Sequence, residues 1–218
     1  MADIFSYDVL EVTLLSLYVS GCATILGSSI GIPLGALVGL KEFGGKGLVK
    51  TITYTMYGFP PVISGLVVYF LLSRSGVFGF LGLLFTPTAM IIAETLLVIP
   101  LTAGITITSV AEVDKSIKDT ITAIGATPRQ RVLTVMREAW VGLVMAAMIG
   151  FGRAIAEVGA AFMVGGNIAG ETRVLTTAIM METRAGHLGF ALGLGVVLIF
   201  VAAAVFVFLR YLQEKELL

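Results

Sequence analysis

The chain has 218 residues, 57% of them hydrophobic and 13% charged, with a formal net charge of zero and a mean hydropathy of +1.02. This composition excludes a soluble domain, which needs a polar exterior, and offers no basic excess to draw nucleic acid. The single cysteine, Cys22, excludes an internal disulfide or cysteine-cluster metal site and reads as a small buried residue.

Taken in chain order, Met1 to Asp8 is acidic and lacks the basic start of a cleavable signal, so the first apolar segment is expected to stay in the mature protein. Residues 12–40, 51–73 and 188–209 carry no charge, 75–111 carries only Glu94, and 139–170 only Arg153 and Glu157. A helix of about 20 apolar residues crosses a ~30 Å hydrocarbon core. Five spans are predicted, at about 10–40, 49–73, 87–110, 139–165 and 188–211. The expected fold is an all-α polytopic bundle, a single domain over 1–218. Ten basic residues lie in the 41–50 loop, the 112–138 loop and the C-terminal tail, against Arg74, Arg173 and Arg184 on the other side. The positive-inside rule then predicts an external N-terminus and a cytoplasmic C-terminus.

Packing signals run through the spans. Ala23, Gly27, Gly31, Gly35 and Gly39 recur every fourth residue in the first, and Gly142, Ala146, Gly150 and Ala154 in the fourth, giving small faces for close helix approach. Pro33, Pro60-Pro61 and Pro100 remove backbone donors, so kinks or breaks are predicted there. They read either as bundle packing, the simpler account, or as a flexible wall around a path. No internal repeat is visible, which weighs against an inverted-repeat secondary transporter.

Residues 112–138 form the long polar stretch, with nine charges in 27 residues. Asp114 is placed to cap a helix with Ile117, Ile121 and Ile124 as its apolar stripe. Gly125 supplies a stop, and Thr127-Pro128 starts a second helix. A plain connector needs no such start and stop signals. A DNA reader tethered by two spans, with few base-reading side chains, is a poor fit. A docking element for a cytoplasmic partner uses every feature.

Asp119-Thr120-Ile121-Thr122-Ala123-Ile124-Gly125, then nine residues and Val135, resembles the EAA loop of ABC importer permeases. Asp119 stands where that motif has its acid, Thr120 and Ile121 replace its small pair, and Arg137-Glu138 replaces its closing Leu-Pro. The resemblance implies a coupling helix seated on an ATP-binding subunit, with Asp119, Thr120, Ile121, Ala123, Ile124, Gly125, Ala126 and Pro128 as the coupling residues. Residues 150–160 and 165–172, including Gly150-Phe151-Gly152-Arg153 and Gly165-Gly166-Asn167, resemble molybdate, tungstate and sulfate permeases. Arg173-Val174-Leu175-Thr176-Thr177, Pro60-Pro61-Val62-Ile63-Ser64-Gly65 and Leu84-Phe85-Thr86-Pro87 are most similar to the tungstate branch.

Inside the membrane, Arg153 and Glu157 are four apart on one predicted helix face, where pairing is natural. A charge at that depth costs at least ~2.5–3.5 kcal/mol unless paired or wet. The pair reads first as self-neutralising, and second as a cation beside an anion path. Glu94 has no local partner and reads equally as a vestibule residue or a polar packing contact. Thr95, Thr102 and Thr106 read as packing, and His187 stands alone, not as a metal ligand.

No catalytic constellation is visible. Gly45-Lys46-Gly47 lacks the hydroxyl residue and first glycine of a P-loop. The resemblance implies that this chain binds no cofactor, with ATP and Mg held by a partner ATPase. It implies a homodimer with the path at its two-fold interface, two ATP-binding subunits and an external oxyanion-binding protein. Tungstate is favoured, with molybdate and sulfate as alternatives. A secondary transporter or channel is the rival, disfavoured by scarce intramembrane acids.

Overall fold

A computed structural model describes residues 9–215, so the acidic stretch 1–8 lies outside the described residues. Ten α-helices follow one another: α1 (Val9–Leu40), α2 (Lys46–Thr55), α3 (Pro61–Leu72), α4 (Pro87–Glu112), α5 (Lys115–Ala123), α6 (Pro128–Glu138), α7 (Trp140–Ile155), α8 (Gly159–Gly165), α9 (Leu175–Arg184) and α10 (Leu188–Lys215). No strand occurs among the described residues.

Among the described residues three helices, α1, α4 and α10, are long and apolar enough to span a membrane alone, and the number reaches five if each of two bent pairs, α2–α3 and α6–α7, is counted as one span. The predicted span at 49–73 is not one helix. It starts at Lys46 and turns by 96° between α2, with its short 3-10 extension to Gly58, and α3. Pro60 lies at the turn in extended backbone (φ −64°, ψ 125°), where the missing donors of Pro60 and Pro61 favour a break. The predicted span at 139–165 is likewise interrupted, because α7 ends at Ile155 and α8 restarts at Gly159. By contrast, Pro33 and Pro100 sit inside continuous helices.

α4 is the central post, packed by α1, α7, α3 and α8. The glycine stripe of α1 makes this possible. A Cβ at Gly31 would run into Thr102 and the Ile99 carbonyl, and one at Gly35 into Thr106 and the Ala103 carbonyl. The small face of α7 does the same: a Cβ at Gly142 would strike Ser109, and Ala146 and Ala154 are buried. Thr102 and Thr106 are fully buried and return their hydroxyls to their own helix, Thr106 Oγ1 donating to the Thr102 carbonyl at 2.7 Å. That is packing, as expected of them.

Candidate functional site

The 112–138 segment folds as its local chemistry dictates. Asp114 Oδ1 accepts from Ser116 N at 2.7 Å at the start of α5. Gly125 closes the helix at φ +74°, and Ala126 N reaches back to the Ile121 carbonyl at 3.3 Å. Thr127 then caps α6 through a reciprocal box: its Oγ1 accepts from Gln130 N at 3.4 Å, and Gln130 Oε1 accepts from Thr127 N at 2.8 Å. α6 meets α7 at a bend of 66°. Helix, turn and helix therefore form a hairpin tied into a span.

The three isoleucines do not share one environment. Ile121 is 7% exposed and packs with Val110, Val135 and Ala139, while Ile117 and Ala126 lie partly buried against them. Ile124 falls one residue beyond α5 and is 75% exposed. Asp119, Thr120, Ala123, Gly125 and Pro128 are also exposed. The hairpin therefore has an apolar root in the bundle and an outer rim with one large apolar side chain. Beside it, Lys46 Nζ donates to Glu42 Oε1 at 2.7 Å and holds that carboxyl below the usual carboxylate range, through the hydrogen bond first and the charge second.

Deeper in the bundle, Arg153 Nη1 donates to Glu157 Oε2 at 2.8 Å. The spacing is the predicted i,i+4, but Glu157 sits in the break after α7 rather than in a helix. Its Oε1 accepts from Ala160 N at 3.0 Å, and its backbone carbonyl accepts from Thr176 Oγ1 of α9 at 2.7 Å. One residue thus ties α7, α8 and α9 together. The Glu157 side chain is 3% exposed and that of Arg153 is 30% exposed. Glu94 is 2% exposed. Its Oε2 has no hydrogen-bond partner among the described residues, with Ser20, Arg153 and Glu157 in electrostatic reach. Toward the 112–138 end, a cleft of about 570 Å3 opens between α4 and α7, lined by Tyr57, Thr108, Ser109, Glu112 and Glu138 among others. Among the described residues no cluster of His, Cys, Asp or Glu could hold a metal ion.

Comparison with known proteins finds relatives in both sequence and fold. The family model described as "Binding-protein-dependent transport system inner membrane component" matches residues 31–216. The chain belongs to that family. It is a multi-pass membrane protein and a permease of the ABC importer class, a transport component. A probable anion ABC transporter permease protein of Haloferax volcanii is 41% identical over 204 residues, covering 91% of this chain and 88% of that one. The tungstate uptake system permease protein TupB of Peptoclostridium acidaminophilum is 40% identical over 211 residues, covering 97% and 92%. In fold, the chain is similar to a chain of the methionine ABC transporter MetNI, with a TM-score of 0.76 at 21% identity over 97% of this chain and 98% of that one. The resemblance read from residues 119–135 and 150–179 therefore has the right family.

Proposed function

We propose that this permease carries tungstate into the cytoplasm by alternating access, as one half of a homodimer. Two ATP-binding subunits, which hold the ATP and Mg, dock on the 112–138 hairpins, and an external binding protein delivers the anion. The observation that carries the substrate is the 40% identity to a tungstate uptake permease across 97% of the chain. Molybdate permeases are more distant, at 26% identity over 83% of the chain for ModB of Escherichia coli. The docking role rests on the exposed rim of Asp119, Thr120, Ala123, Ile124 and Gly125 at the end of a hairpin whose root is buried in the spans. Ile121 and Ala126 anchor that root, and Pro128 starts the return helix. The ten-to-three basic asymmetry supports a cytoplasmic side for this hairpin.

Arg153 and Glu157 serve as an intramembrane pair that braces the junction of α7, α8 and α9. Every oxygen of the Glu157 carboxylate is already engaged within the chain, and a strong free cation on the path would hinder release of the anion. Glu94 belongs to the same interior.

The test is uptake into proteoliposomes holding the complete complex. Loaded with ATP and supplied with the binding protein, they accumulate tungstate in preference to molybdate and sulfate. Preferential molybdate uptake would reassign the cargo. Uptake without ATP would reject the coupling.

A further inference from the structure

A second cavity, of about 330 Å3, lies between the end of α1 and the α5–α6 hairpin. Its walls include Leu40, Ile121, Val132 and Val135, and its two charged residues are Lys41 and Arg131. No carboxylate lines it, and neither cation belongs to an ion pair among the described residues. Arg131 is steadied by Nε donating to the Ala126 carbonyl at 3.0 Å, which leaves its terminal amino groups for another partner. Leading to the cavity along α1, Leu34 and Leu37 are 47% and 49% exposed, so an exposed apolar track ends at two cations.

We propose that this cavity binds the phosphate headgroup of an anionic phospholipid, with an acyl chain laid along Leu37 and Leu34. A free oxyanion would use the two cations but would gain nothing from Leu40, Val132 and Val135. A phospholipid uses both parts, and its headgroup sits where the α1 span ends. The lipid binding rests on the proposed function only in assigning the lipid to the cytoplasmic leaflet. Its consequence is mechanical. Ile121 lines the cavity while Ile124 faces out from the rim, so the bound lipid braces the inner side of the segment that docks the ATPase.

The experiment is native mass spectrometry of the purified, delipidated complex titrated with phosphatidylglycerol or phosphatidylcholine. One phosphatidylglycerol per permease chain is expected to bind selectively. Lys41→Gln with Arg131→Gln weakens it by about fivefold for each cation lost. Lys41→Arg with Arg131→Lys keeps it, as does Arg129→Gln, which removes a neighbouring charge that does not line the cavity. If the double Gln variant does not assemble, Val132→Trp decides, because it fills the cavity with both cations in place and is expected to abolish selective binding. Equal retention of the two lipids, a loss in Arg129→Gln as large as in the double variant, or displacement by millimolar inorganic phosphate would each overturn the lipid site. Co-purification of the ATP-binding subunit with each variant is read separately, so failure of the docking reading is distinguished from failure of this one.

Discussion

At the scale of single residues, the α5–α6 turn rests on Gly125 and the junction of α7, α8 and α9 on Glu157. Gly125 has φ +74°, a conformation that costs a β-branched residue about 1–2 kcal/mol. Gly125→Val is therefore expected to disorder the α5–α6 turn and abolish ATP-dependent uptake, and normal uptake by that variant would remove the hairpin from the coupling path. Glu157 allows a sharper contrast. Glu157→Gln leaves Arg153 without its counter-charge and is expected to destabilise the complex by at most about 3 kcal/mol, read as a lower Tm in detergent. Adding Arg153→Gln restores most of that stability and leaves tungstate transport intact. Loss of transport in a well-folded double variant would put Arg153 on the path instead. The i,i+4 spacing made the pairing legible in the sequence. The break in the helix was not legible, because it is made by Ala160 N and by Thr176, which lies 19 residues away.

At the scale of elements, local rules explain most of what is seen. The start of α6 follows from the Thr127-Pro128 pair, and the structure adds a capping box between Thr127 and Gln130 three residues on. Removing the cap costs about 1 kcal/mol, so Thr127→Ala is expected to speed amide exchange in the first turn of α6 roughly fivefold. The α1 stripe was equally plain, and its structural partner is α4. Gly31→Val meets Thr102 and backbone and should lower the yield of folded protein, whereas at Gly21 nothing lies within 4 Å and alanine should be harmless. The isoleucine stripe of α5 misleads for a simple reason. Ile124 keeps the helical register, its N bonded to the Thr120 carbonyl at 3.1 Å, but Val110, Val135 and Ala139 cover Ile121 and leave Ile124 75% exposed. The segment after α8 hides its logic too. Thr172 is fully buried, donating to the Gly165 carbonyl at 2.6 Å and accepting from Ile168 N at 2.9 Å, a closure that no periodicity announces.

At the scale of the whole molecule, the charge-free runs predict five crossings, within the three to five that the helices allow, and the shape of the bent ones was not legible. Hydropathy does not distinguish a straight span from one that turns by 96°, since both are equally apolar; only Pro60-Pro61 marked the turn. Orientation is open to direct measurement. In a Cys22→Ser background, Ala185→Cys should react with an impermeant maleimide on intact cells, and Ser116→Cys only after permeabilisation; the reverse pattern would invert the topology. The Tyr57–Glu138 cleft carries hydroxyl and carboxyl groups that hydrocarbon does not satisfy, so that side is matched to water or protein. The last helix is the opposite case. Only 6% of the apolar window of α10 is buried, and its contacts are chiefly with α9 and α7. The helices that α4 gathers around itself, α1, α3, α7 and α8, all precede α10 in the chain. The interior is therefore closed without the last span, and a chain stopped near residue 188 is expected to keep its centre and lack one wall, losing the Leu194 contacts with Val12, Leu175 and Ala178.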